Sequence, residues 1–182
     1  MGMEGVSSEL GIIETDGLHT FSGLVDGRDY IISDSGKRYI EYVFPVEDYP
    51  VELPVFRRVS DRIFEVPINA IPMNIFTFTE DKIEDNYIGS YEIFDILARI
   101  FSKLGKQGYK FQNLNLSSIA LCPGERKWLQ FIPSKVSLVI GDQKIDDYSE
   151  LLDDLEKYDS QNDHEKLKNF FKFQYLKYLN EY

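Results

Sequence analysis

The sequence predicts an α+β fold: a β-rich N-terminal part, residues 1–80, followed by a mainly helical C-terminal part, residues 90–182, that carries a β-hairpin. Three observations predict it. Short runs of β-branched and aromatic residues, separated by Asp-Gly and Ser-Gly turns, fill the first part. At residue 90 the apolar spacing changes to that of a helix, and two further helical stretches close the chain.

The first candidate strands are residues 12–13, 20–25, 30–33 and 39–44, divided by Thr15-Asp16-Gly17, Asp26-Gly27 and Asp34-Ser35-Gly36. In the last of these strands, Tyr39, Glu41 and Val43 share one side and Ile40, Tyr42 and Phe44 the other. Apolar groups on both sides predict a sheet whose second face is at least partly covered. Prolines 45, 50, 54, 67 and 72 then interrupt the chain. Proline cannot donate to a ladder, so this stretch reads as an edge or an irregular connector, with a short strand at 62–66. Residues 74–79 resume as a strand. Ser90 is placed to cap a helix with Glu92 in its first turn, and Ile93, Phe94, Leu97, Ile100, Phe101 and Leu104 recur as one stripe. Gly105 follows as a stop signal. Strands at 118–122 and 127–132 read as a hairpin about Pro123-Gly124-Glu125-Arg126, and 136–140 is a third apolar run turned by Gly141-Asp142. Ser149 is positioned to cap a short helix reaching Tyr158. A last helix, 163–179, spreads Phe170, Phe171, Phe173, Tyr175, Leu176, Tyr178 and Leu179 over more than one stripe, which predicts packing on two sides.

Composition removes whole classes of function. A chain of 182 residues with 43% hydrophobic side chains buries roughly 70% of its unfolded surface without covalent staples. The single cysteine, Cys122, forms no internal disulfide and excludes a Cys-rich zinc site; it reads as a small, half-buried residue. No stretch approaches about 18 uncharged apolar residues, so no membrane span is expected. Residues 1–11 carry no basic region followed by an apolar core, so the expected setting is the cytoplasm. A formal net charge of −11 opposes binding to nucleic acid or to an anionic membrane. The basic clusters Arg57-Arg58, Arg62 and Lys103-Lys106-Lys110 do not make a basic face. His19 and His164 stand apart and read as surface residues, and Trp128 as hairpin core. Asp146-Asp147 and Asp153-Asp154 lack the loop spacing that calcium requires. No cofactor and no metal are expected. Residues 142–165 hold ten acids against two lysines: a solvated face, or a docking surface for a basic partner.

After the long helix comes Gly108-Tyr109-Lys110-Phe111-Gln112-Asn113-Leu114-Asn115-Leu116-Ser117-Ser118-Ile119-Ala120-Leu121. This run resembles the catalytic loop of protein kinases, where a C-terminal-lobe helix leads into His-Arg-Asp-Leu-x-x-x-Asn and then a strand. The resemblance places the family's His on Phe111, its Arg on Gln112, its Asp on Asn113, its metal-binding Asn on Ser118 and its strand on Ile119-Ala120-Leu121. Gln130 and Phe131 take the Asp and Phe positions of Asp-Phe-Gly. The apolar frame matches over about residues 90–132, and every chemical residue in it differs. No Gly-x-Gly-x-x-Gly precedes residue 80, and Glu41 lies where the lysine of Val-Ala-Ile-Lys belongs. No activation segment or Ala-Pro-Glu is recognisable, and the C-terminal part is short for the family. The resemblance therefore implies a truncated, degenerate kinase-like unit.

Phosphoryl transfer runs on positioning and charge neutralisation: a lysine on the phosphates, magnesium on carboxylate and amide, a carboxylate to take the hydroxyl proton. Asn113 is not a base, and Ser118 and Gln130 are neutral, weak magnesium ligands. The expectation is thus a catalytically inactive, regulatory or protein-binding module without a nucleotide. Its expected partner is a protein with a basic patch, docking on Asp146, Asp147, Glu150, Asp153 and Asp154. Two alternatives stay open. One is an atypical phosphotransferase with displaced acids, drawn from Asp16, Asp34, Glu41 and Asp142. The other is an unrelated α+β structural or adaptor subunit, whose first-half sheet would pair with the 118–132 hairpin instead of facing it across a hinge near 79–89.

Overall fold

The computed structural model describes residues 12–14, 27–32, 37–67, 70–73, 90–122, 129–158 and 164–181. They form a mixed α+β structure of three small antiparallel sheets and, among the described residues, three α-helices. The expected turns at 15–17 and 34–36, the strands at 20–25 and 74–79, the hairpin turn 123–126, the hinge 79–89, His19 and Trp128 lie outside the described residues.

The first sheet is built from β1 (Ile12–Glu14), β2 (Gly27–Ile32), β3 (Arg38–Tyr42), β4 (Arg57–Arg58) and β5 (Ile63–Val66), in the order β1-β2-β3-β5-β4. Strand β3 runs between β2, with Tyr30 opposite Tyr39, and β5, with Phe64 opposite Ile40. Tyr39, Ile40, Glu41 and Tyr42 are all buried, so both faces of this strand are covered, as apolar groups on both of its sides predict. The proline-rich stretch after β3 is an irregular connector that touches the rest through backbone: Val55 bridges Phe131, whose N–H donates to the Pro54 carbonyl at 2.7 Å.

A second sheet sets β6 (Ile71–Pro72) at the edge beside β8 (Ile119–Leu121) and β9 (Leu129–Phe131). The expected hairpin is present, with Ala120 opposite Gln130. Pro72 occupies the edge strand, where its missing N–H costs no ladder bond. The third sheet pairs β7 (Tyr109–Gln112) with β10 (Ser137–Ile140), Phe111 opposite Leu138. The apolar run expected at 136–140 is this strand, and its partner lies before the hairpin, so the two strands bracket it.

Helix α1 (Ser90–Lys106) buries Ile93, Phe94, Leu97, Ala98, Phe101 and Leu104 completely. Gly105 is not its stop. The helix passes through it to Lys106, and the chain reverses at Gly108, whose φ of +86° is the left-handed conformation glycine tolerates. Gly105 is small for another reason: a Cβ there would come within 2.6 Å of Gln143 Nε2. That amide donates to the Phe101 carbonyl and to the Tyr175 hydroxyl, at 2.8 and 2.7 Å.

Ser149 does not act as an N-cap either. A 3-10 turn, Ile145–Tyr148, runs directly into α2 (Ser149–Tyr158), and Ser149 already has helical backbone; its hydroxyl donates to the Asp146 carbonyl at 2.7 Å. The cap falls one turn earlier, where the Asp147 carboxylate accepts the Lys144 N–H at 2.8 Å.

Helix α3 (His164–Leu179) packs along α1 by one stripe: Leu167, Phe171, Tyr175 and Tyr178. The expected second packed side is absent among the described residues, for Phe173 and Leu176 stand 67% and 52% exposed.

The main core joins α1, α2 and α3 to the hairpin and β7. At its centre Phe101 stacks on Tyr148 with ring centroids 4.4 Å apart, edged by Phe111 and Phe171. Aromatic pairs of this kind add about 0.5–1.5 kcal/mol beyond the area they bury. A second cluster lies between the first sheet and the hairpin: Ile40, Tyr42, Phe56, Phe64, Val66 and Ala70 meet Ala120, Cys122 and Ile132. Cys122 is fully buried here, deeper than its hairpin position suggested.

Candidate functional site

The loop between β7 and β8 is shaped by small polar residues. Asn113 follows β7 with φ +54°, a left-handed conformation that asparagine accepts at little cost, and its side chain is exposed. Asn115 then caps a one-turn 3-10 helix, Leu116–Ser118. Its Oδ1 accepts the Ser117 N–H at 3.0 Å and also the Ser117 hydroxyl. Ser118 is only 2% exposed, and its Oγ faces the Asn115 backbone and side chain, each at 3.5 Å. The Leu116 N–H donates to Asp154 Oδ2 of α2 at 3.1 Å, tying the loop to the helical part. Gln130 is half-buried on β9. No hydrogen bond joins Asn113, Ser118 and Gln130 to one another among the described residues. One amide faces water, one hydroxyl is spent on a turn, and one amide sits on a sheet.

The space between the first sheet and the hairpin is filled. Hydrocarbon from both sides meets there, and the Tyr42 hydroxyl donates across it to the Pro133 carbonyl. Glu41, at the position where the kinase resemblance puts a lysine, is buried on β3 with Ile63 and Arg28 as its cross-strand neighbours in register. Of the other displaced-acid candidates, Asp142 is exposed beyond β10, and Asp16 and Asp34 lie outside the described residues.

The five acids expected to face a partner divide by role. Asp146 and Glu150 are exposed, and Asp153 is exposed with its carboxylate 3.8 Å from Lys168 Nζ. Asp147 and Asp154 instead turn inward to backbone N–H groups, as described above. No cluster of three or more His, Cys, Asp or Glu side chains suits a metal ion among the described residues.

An open cleft of about 390 Å³ lies beside the filled space, between the connector after β3 and the start of β10. Arg58 builds its wall. The guanidinium donates to the carbonyls of Val46 (3.0 Å), Glu47 (2.8 Å), Asp61 (3.3 Å) and Ser60 (3.4 Å), and lies 4.7 Å above the Phe64 ring. From that wall Tyr49 reaches across, its hydroxyl accepting the Ser134 N–H at 3.0 Å. Burial pushes the Tyr49 phenol up from its ordinary value, so the hydroxyl stays protonated at neutral pH. Glu47 and Asp48 put two carboxylates on the cleft, and Phe44 stands 74% exposed at it. Sequence reasoning missed this cleft: Arg58 reads as part of a basic pair, and nothing local says that its donors fasten a loop.

No family model matches this chain, and no curated protein matches its sequence. No described helix is long and apolar enough to cross a membrane.

Proposed function

We propose that this chain is a catalytically inactive, protein-kinase-like domain that works as a protein-interaction or regulatory module. One observation carries the reading: the space between the first sheet and the hairpin, where a kinase-like unit would admit a nucleotide, is occupied by side chains and crossed by the Tyr42 hydroxyl. The local order supports it as well. Helix α1, strand β7, the Asn113 turn, a 3-10 turn and the β8–β9 hairpin follow one another along 90–131, and none of Asn113, Ser118 and Gln130 offers an ionised acid. Melting in ATP with magnesium tests it. A ligand at a hundredfold its Kd stabilises by about 2.7 kcal/mol, which for a chain of this size is roughly 5–10 °C. No shift is expected, and a rise of several degrees overturns the reading.

The partner surface in this proposal is the exposed trio Asp146, Glu150 and Asp153, facing a basic patch. Binding there weakens as salt rises, because exposed charges are screened within about 10 Å at 0.1 M salt. Salt-independent binding, or triple charge reversal without effect, removes this surface from the proposal.

A second reading, an α+β adaptor unrelated to kinases, is favoured by one specific feature. Ile71 and Pro72 pair with Leu121 and Ala120, so the first half contributes a strand to the hairpin sheet.

A further inference from the structure

We propose that the cleft between the connector and β10 is a docking site for an extended segment of a partner protein carrying lysine or arginine between apolar residues. The site is distinct from the acidic face of α2 and does not depend on the kinase resemblance.

Three features point to this occupant. The first is an open strand edge. Among the described residues β10 pairs with β7 alone, which leaves its other edge without a strand partner there, and its residues Ser137 and Leu138 line the cleft. A strand laid on such an edge gains main-chain hydrogen bonds and directs alternate side chains to one side. The second is charge. Asp48 is 96% exposed and, among the described residues, pairs only with Arg58, at 3.5 Å, while Glu47 has no ion pair among them. A cationic side chain entering the cleft meets a net negative wall, in a chain whose overall charge of −11 steers cations toward it. The third is exposed hydrocarbon at both ends of the path. Phe44 stands at the cleft, and Ile140, on the same side of β10 as Leu138, is 88% exposed. Apolar residues flanking the cation cover these two.

The cleft is also built in advance. Arg58 fixes one wall through four carbonyls, and Tyr42 and Tyr49 clasp the Pro133-Ser134 turn on the other. Rigid walls lower the ordering cost of binding. A volume near 390 Å³ lies at the lower end of the ~300–1,000 Å³ typical of ligand pockets, room for a long side chain and its neighbour but not for a folded element.

The test uses the full chain and a fluorescein-labelled hexapeptide of alternating arginine and valine, read by fluorescence anisotropy. Saturable binding is expected, weakened at least tenfold by the paired exposed substitutions Glu47→Gln and Asp48→Asn. The charge reversals Glu150→Lys and Asp153→Lys on α2 should change it less than twofold. N-methylating alternate peptide nitrogens on one edge of the probe should abolish binding, and on the other edge leave it intact. Absence of binding overturns the proposal, as does equal tolerance of both N-methylated probes. Loss on the α2 reversals with none on the cleft pair also overturns it, and that result supports the acidic partner face instead. The melting response to ATP is independent of every one of these outcomes.

Discussion

Asp154 reads in the sequence as one more acid in an acidic run, yet its carboxylate holds the Leu116 N–H from 38 positions away. Nothing local announces such a contact, because the acceptor and the donor belong to different elements. Arg58 is the same case with the sign reversed. These residues set an order of sensitivity. Asp154→Ala leaves a half-buried N–H without this acceptor, so it should cost about 1–3 kcal/mol, a drop in Tm of several degrees. Asp153→Ala removes only an exposed carboxylate beside Lys168 and should cost at most about 1 kcal/mol. Thermal melts of the two variants check this, and equal losses would refute the assignment of Asp154 to the loop.

At the scale of elements, legibility followed periodicity. Helix α1 was plain because six apolar positions repeat on one face, and β3 because its apolar run needs two covered sides. Helix α3 was harder. Its aromatic content exceeds what one stripe can bury, and sequence alone does not say which stripe wins. The structure decides for Leu167, Phe171, Tyr175 and Tyr178, so Phe171→Ala should cost about 3–5 kcal/mol and Phe173→Ala within about 0.5 kcal/mol. Urea titration of the pair measures the contrast. The β7–β10 pairing was invisible for a different reason. Four-residue strands carry little pattern, and these two are separated by the whole hairpin, so no turn signal links them. Gly105 and Ser149 had the right chemistry for helix ends, but the backbone continued past the first and had already begun before the second.

Across the whole molecule, the aromatic core sets a limit on the alkaline side. Burial, reinforced by the neighbouring Tyr175, pushes the Tyr148 phenol far up, and burial raises Tyr175 as well. In the unfolded chain both ionise near the ordinary tyrosine value of about 10, and in the folded one only at higher pH. A raised folded pKa contributes stability that is complete below the unfolded pKa and is lost as pH climbs beyond it. Stability should therefore hold to about pH 10 and then fall, with tyrosinate absorbance rising together with loss of circular dichroism. Tyr148→Phe should flatten that fall. Tyrosinate appearing well before any unfolding would contradict the burial of these phenols. The candidate site was legible only as a set of absences at this scale. That the space between the first sheet and the hairpin is filled depends on contacts such as Tyr42 with Pro133, 91 residues apart, which no local pattern carries.

That plug changes what governs the protein's persistence. A domain that depends on a bound ligand leans on it as a strut, and its folded fraction follows the ligand's supply through mass action. Here Ile40, Phe64, Ala120, Cys122 and Ile132 are the strut. It is encoded in the polypeptide and always at hand, so the proposed reading predicts a folded population that answers to temperature, pH and salt and not to the abundance of a nucleotide.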